Sequence, residues 1–394
     1  MQVEAGGARG QAAIWAAAAA VLAGGAVWVA AAGGGRLAAL WLVGGALGFA
    51  LYHAAFGFTG AYRALFATGR SAAVRAQLLM LAAAVAIFFP ALEAGAVWGQ
   101  PVRGFVFPAG VEVALGAFLF GVGMQLGGGC ASGSMYGAGG GDLRMAVTLV
   151  FFIAGMTLGA WDEARWAALP ALPAISAPAS LGMWPALGLN LAVFGLVAAG
   201  LAARERRLTG AVEPVFARPG AGWLRGPWVL AWAALALALL NAATLVLAGR
   251  PWGITQAFAT WGSLAVEATG WGDPVFWPYW EDPTRIDLLH RPFVQDATAL
   301  MNVGLIAGAA LAAGLAGRFA PDWRIGWRPL GAAVLGGLML GYGARMAFGC
   351  NISAFFSGVA SGSLHGWVWI AAALPGNWLG MRLRPAFGLD NPIR

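Results

Sequence analysis

The sequence is short of charge and of reactive side chains alike. Of its 394 residues only 10% are charged, two are cysteine, three are histidine and none is lysine. Soluble globular chains carry about 25% charged residues, so this one has too few polar groups to cover a water-facing surface. Cys130 and Cys350 stand alone, without a CxxC or a Cys/His cluster, which excludes the usual zinc and iron–sulfur sites and leaves no metal or other cofactor to expect. No GxxxxGK[ST] loop occurs, so no nucleotide site of that type is present. All 23 cationic residues are arginine and the formal charge is +7, yet no arginine cluster sits on a soluble domain, so nucleic acid is not an expected partner.

What the chain does have is apolar residues, 60% of the total. Stretches close to the ~20 residues that cross a ~30 Å hydrocarbon core recur near 11–32, 37–56, 72–92, 110–127, 143–161, 180–203, 226–249, 298–317, 329–348 and 364–382. The first follows Arg9 and is long for a signal-peptide core. Two further stretches, 57–68 and 253–268, are too short or too interrupted to span and read as half-helices or interfacial segments. Arginines mark the loops of one side: Arg63, Arg70 and Arg75; Arg204, Arg206, Arg207, Arg218 and Arg225; Arg318, Arg324 and Arg328; Arg382 and Arg384. The acidic stretch 273–296, with Asp273, Glu281, Asp282, Asp287 and Asp296, falls on the other. By the excess of positive charge in cytoplasmic loops, both termini are expected in the cytoplasm and the chain in the bacterial inner membrane. The 20 tryptophans are expected in interfacial belts.

An internal repeat organises the chain. Placing Cys130 on Cys350, an offset of 220, lays Gly121-Val-Gly123 on Gly341-Tyr-Gly343 and Gly129 on Gly349. One residue later in register, Gly141 falls on Gly362 and Gly159 on Gly380. Upstream, Gly57-Phe-Thr59 resembles Gly253-Ile-Thr255. The expected division is an extra helix at 1–36, a first half at 37–203, an arginine-rich cytoplasmic linker at 204–225 and a second half at 226–394. By the span count, the first Gly-Cys loop lies between spans that meet at the cytoplasmic side and the second between spans that meet outside. The fold class expected is therefore an all-α polytopic membrane protein of about ten transmembrane helices, in two inverted repeats with re-entrant Gly-Cys loops. Inverted repeats put substrate near the midplane, where discontinuous helices meet.

The loops carry the chemistry. Residues 127–141 read GGGCASGSMYGAGGG, eight glycines in 15 residues, and the partner loop runs from Phe348 through GCNISAFFSGVASGS to Leu364. Such backbone cannot face lipid, where each unpaired N–H costs several kcal/mol. It is expected to line a polar path, its free N–H groups at Gly128, Gly129 and Gly349 offering an anion site. Ser132, Ser134, Asn351 and Ser353 add neutral hydrogen-bonding groups, and Cys130 and Cys350 two polarisable thiols. The thiols are expected neutral, because a thiolate would repel an anion, and a soft weak donor holds sulfur loosely enough for passage. Arg345, five residues before Cys350 inside a span, stands where the first half has Gln125. A charge at that depth marks function by default; attracting the anion, pairing with Asp142 and snorkelling all remain open for it. Arg144 falls opposite His365, which is expected to cap or hydrogen-bond a loop, proton relay being the alternative.

The loops Gly128-Gly-Cys130-Ala-Ser-Gly133 and Phe348-Gly-Cys350-Asn-Ile-Ser353, with Gly57-Phe-Thr-Gly-Ala-Tyr-Arg63 upstream, resemble the YeeE/YedE sulfur-transport family over nearly the whole chain from about residue 40. The resemblance implies a membrane transporter for thiosulfate or a related small sulfur-containing anion. It also implies that Cys130 and Cys350 pass the ion between them, and that a small soluble sulfur-carrier protein is a partner. In one place the chain departs from that pattern: thiosulfate-type members carry cysteine in a Phe-Cys-Phe context, and here it reads Phe56-Gly57-Phe58. A selenium-containing solute therefore stays open as cargo. The reading is a transporter rather than an enzyme; the alternative is a membrane sulfurtransferase in which a cysteine becomes a persulfide.

Overall fold

The computed structural model describes residues 2–216 and 222–391, so Arg218 of the expected linker lies outside the described residues. Helices dominate because long Ala/Leu/Val runs in an apolar solvent must satisfy every backbone group within the segment. The first part of the chain forms α1 (Gln2–Gly33), α2 (Gly35–Ala54), the short α3 (Phe58–Ala67) and α4 (Ala72–Glu93). It continues with α5 (Val111–Gly127), α6 (Ala131–Gly139), α7 (Leu143–Trp161), α8 (Ala177–Leu181) and α9 (Met183–Thr209). The second part supplies α10 (Leu230–Ala248), α11 (Thr255–Thr269), α12 (Pro283–His290), α13 (Ala297–Leu315), α14 (Trp327–Met346), α15 (Ser357–Ala360) and α16 (Leu364–Leu383). Among the described residues, nine helical segments are long and apolar enough to cross a membrane. The chain is an all-α polytopic membrane protein.

The tenth expected span, α16, is a 20-residue helix that falls short of that apolarity. It carries His365 and Asn377, both fully buried, and packs along α5, while its Trp378, Leu379 and Leu383 stay exposed. By contrast α1 and α9 bury little of their surface. The stretches 57–68 and 253–268, expected as half-helices or interfacial segments, form the short helices α3 and α11.

At the centre, α5 crosses α14, with α7 packed on α14 and α16 on α5. The contacts obey one rule of offset. A Cβ on Gly123 would lie 2.8 Å from Gly336 O and Leu340 N; a Cβ on Gly343 would lie 2.5 Å from Gly116 O and 2.8 Å from Phe120 N. Subtracting 220 from Gly336 and Leu340 yields Gly116 and Phe120. Likewise Gly121 abuts Ala373 and Asn377, while Gly341 abuts Phe152 and Met156, an offset of 221. Gly116 meets Gly343 whereas Gly123 meets Gly336, so α5 and α14 run antiparallel. Glycine is required here because the backbones touch, the close approach that small residues permit in lipid.

Outside this centre, α2 lies on α13 and α10 on α4. The tie between α9 and α4 is polar: Glu205, 1% exposed, accepts from Ser71 Oγ at 2.6 Å, Arg75 Nη2 at 3.1 Å and Glu213 N at 3.3 Å. The tryptophans divide, against the expected belts. Trp98, Trp184, Trp271, Trp323 and Trp327 are exposed, but Trp252, Trp280 and Trp369 are wholly buried in the core, where each ring fills space around the second Gly-Cys segment or its neighbours.

Candidate functional site

Each cysteine stands where a central helix breaks. After α5 ends, Gly128 takes φ +90°, open to glycine and strained for other residues, and Cys130 is extended (φ −85°, ψ −169°) immediately before α6. In the second half Gly349 takes φ +143°, and Cys350 is extended in the same way (φ −100°, ψ −170°) before a π-helical turn, Asn351–Phe356, that leads into α15. Gly127 abuts Gly336, midway along α14. The first break is therefore set deep along its neighbour and away from either end.

Neither helix start is capped by a side chain. The first turns of α6 and of the π-helical segment begin directly after Cys130 and Cys350. Ser132 Oγ lies 3.4 Å from Cys130 Sγ, and Ser353 Oγ 3.6 Å from Cys350 Sγ. Both cysteines are free and buried, 1% and 0% exposed. They lie within electrostatic range of each other, and α6 touches the π-helical turn that follows Cys350. The loops thus meet. Around them stand buried polar groups: Ser134 Oγ has no hydrogen-bond partner among the described residues, and Asn351 and Tyr62 Oη have at most each other. Orphaned polar atoms in an apolar core cost on the order of 1–3 kcal/mol each, a cost that a polar ligand would relieve.

A cavity of about 160 Å³ reaches this place from the face that carries 273–296. Its walls include Arg250, Arg285, Arg345, Tyr279, Gln256, Thr255 and Ser353, the last touching Cys350. The arginines differ in partners. Arg285 pairs with Glu163 and Asp282, each at 3.4 Å. Arg250 donates to Thr298 Oγ1 at 2.7 Å, and burial together with Arg291 lowers its pKa against the pull of Asp296. Arg345 has no carboxylate and makes no hydrogen bond among the described residues; its guanidinium lies 4.2 Å over the Tyr279 ring. Pairing with Asp142, open on sequence grounds, is overturned: Asp142 caps α7, accepting from Met145 N at 3.1 Å.

The remaining sequence candidates lie elsewhere. Arg144 donates from Nη2 to Leu126 O and Gly127 O, and Thr148 Oγ1 donates to Gly127 O, so the end of α5 is closed by side chains. At the equivalent place Trp369 Nε1 donates to Gly349 O. Gly57 precedes α3, where a Cβ would lie 3.1 Å from Tyr136 Oη. His365 is buried with its Nδ1 2.6 Å from Ser363 Oγ, as expected of a loop-bonding histidine. On the opposite face, a cavity of about 580 Å³ is lined by Asp142, Arg144, Arg318 and Arg324.

Sequence reasoning missed Tyr62, Tyr279, Arg250 and Arg285. Arg250 had a signal, standing three residues before Gly253 of the upstream repeat; the loop residues Tyr279 and Arg285 had none. Among the described residues no cluster of three metal-ligating side chains occurs.

The family described as sulphur transport matches residues 53–379. The chain is 34% identical over 170 residues to the probable transporter YedE of Salmonella typhimurium and 33% to that of Escherichia coli. These matches cover 42% of this chain and 40% of each relative, so the chain spans about two fifths of their length. It is 30% identical over 288 residues to the thiosulfate transporter TsuA of Spirochaeta thermophila, 67% of this chain and 74% of that protein.

Proposed function

Since this chain belongs to the sulphur-transport family, we propose that it carries thiosulfate or a related small sulfur-containing anion across the bacterial inner membrane, passing it between Cys350 and Cys130. One observation carries the reading: two buried free thiols, each at the break of a central helix, lie within electrostatic range of each other, and Ser353, which touches Cys350, lines an arginine-walled cavity. The matching glycine contacts, at offsets of 220 and 221, and the antiparallel course of α5 and α14 support two inverted halves; the arginine-rich loops on one side and the acidic stretch on the other support 273–296 outside and the termini in the cytoplasm.

The steps follow from charge and softness. Arg345, lacking a carboxylate of its own, draws the anion into the cavity. Ser353 and the N–H groups at 352 and 353 replace part of its water shell at Cys350. The thiol donates weakly to the anion's sulfur and binds it through polarisability, so the ion is held loosely and leaves for the matching cradle at Cys130. No bond is made or broken, and the chain acts as a transporter instead of an enzyme. A small soluble sulfur-carrier protein is the acceptor on the cytoplasmic side.

Uptake of labelled thiosulfate into proteoliposomes tests this, with sulfate, sulfite, sulfide and selenite as competitors. Label is expected inside the vesicles and none on the protein. Sulfur retained covalently on Cys130 or Cys350 would instead favour the sulfurtransferase reading. Cys130→Ala and Cys350→Ala variants that transport like the parent would end the relay.

A further inference from the structure

We propose that Arg63, Arg144 and Arg384, with Thr59, form a second anion-binding site for a small divalent oxyanion, on the opposite side of the cysteines from the Arg345 cavity. The first cavity is lined by Gly253, Thr255, Arg345 and Ser353; the repeat places Gly57, Thr59, Gln125 and Gly133 at the matching positions of the other half. Gln125 is neutral where Arg345 is charged. The missing charge is supplied from three other elements. Arg63 comes from α3, Arg144 from the start of α7, and Arg384 from just beyond α16, and the three lie within electrostatic range of one another.

Two of these arginines are occupied. Arg144 closes the carbonyls of Leu126 and Gly127, and Arg384 donates to Gln125 O at 2.6 Å and to Asp390 O at 2.7 Å. A helix end carries only about half a negative charge, which does not neutralise two guanidiniums. Asp142 and Asp390 are the nearby carboxylates, and neither forms an ion pair with them within 4 Å. Arg63 is surplus. Among the described residues it makes neither a hydrogen bond nor an ion pair, and its Nε is buried without a partner. Thr59, 2% exposed, also has a hydroxyl with no partner, within the same cluster: Gln125 Nε2 donates to Thr59 O at 3.1 Å. Burial, together with the cations of Arg63 and Arg144, pushes Arg384 down to about 9, the response expected where positive charge lacks a counter-ion. Arg144 also lines the 580 Å³ cavity of this face, so the cluster opens towards solvent.

As a release station the site rests on the transport reading; as a binding site it does not. Sodium sulfate is therefore titrated calorimetrically into the purified full-length chain in detergent. In an Arg345→Gln background, residual sulfate binding is expected, weakened on the order of tenfold or more by adding Arg63→Gln and kept within about threefold by Arg63→Lys. Because Arg63 holds no protein group among the described residues, adding either Arg63 variant is expected to leave the Tm of the Arg345→Gln protein unchanged without sulfate. If a variant does not fold, the sulfate-induced rise in Tm of the Arg63→Lys single variant replaces the titration. Binding that Arg63→Gln leaves unaltered, or no binding once Arg345 is replaced, overturns the site. Sulfate binding without thiosulfate uptake would sink the transport reading and leave the site standing.

Discussion

The guanidinium of Arg345 lies 4.2 Å over the ring of Tyr279, a ring that Arg285 also approaches, at 4.7 Å. The ring comes from the loop between α11 and α13, and it holds one free and one paired cation at the mouth of the same cavity. Tyr279 is itself fixed by its hydroxyl, which donates to Gln256 Oε1 at 2.6 Å. A cation–π contact shielded from water contributes about 1–2 kcal/mol. Tyr279→Leu is therefore expected to lower uptake at subsaturating substrate by about five- to thirtyfold, and Tyr279→Phe, which keeps the ring, by less than about threefold. Initial rates in proteoliposomes decide between them; equal losses would show that the hydroxyl, and not the ring, matters.

Arg345→Gln installs the residue that the first half has at Gln125. If Arg345 draws the anion, the variant should need at least about tenfold more substrate for half-maximal uptake, and the parent's salt sensitivity should shrink with it. Arg345→Lys keeps charge without the planar stack and should fall between. An unchanged KM in Arg345→Gln would remove this residue from the path.

The cysteines occupy N-cap positions, where serine is a better cap by about 1 kcal/mol. Cys130→Ser and Cys350→Ser are thus expected to keep or raise Tm while losing about tenfold or more of thiosulfate uptake, since a hydroxyl is harder and less polarisable than a thiol. Thermal unfolding and uptake measured on the same preparations separate the two effects. Full uptake in both serine variants would make the sulfur dispensable.

Gly123 and Gly343 make matching contacts across α5 and α14, so matching damage is expected from them. Gly123→Val and Gly343→Val should each destabilise by about 1–3 kcal/mol or more, the usual cost of overpacking, read as lower Tm and loss of monodisperse protein in detergent. A control at Gly188, where an added Cβ meets nothing, should be silent. Strongly unequal losses at the two central glycines would contradict the offset rule.

Glu205 binds Ser71, Arg75 and the backbone of Glu213 from a buried position. Glu205→Ala leaves Arg75 without its ion-pair partner and is expected to cost about 2–4 kcal/mol. Faster proteolysis between α9 and α10 and a lower Tm would report it, with uptake per folded molecule retained.

The sequence by itself determined that most of the chain is helix in an apolar solvent. Hydropathy decides which segments are helical in lipid, and the Gly-Cys spacing decides which positions are equivalent. Cys130 and Cys350 could therefore be named before any coordinate. It assigned the buried Trp252, Trp280 and Trp369 to belts, because a count of apolar residues does not say whether lipid or protein surrounds them. Which arginines are free was beyond it. Arg345 and Arg63 are identical in type to Arg285 and Arg144, and only the packing of helices distant in sequence decides which guanidinium meets a carbonyl or carboxylate and which, among the described residues, meets neither.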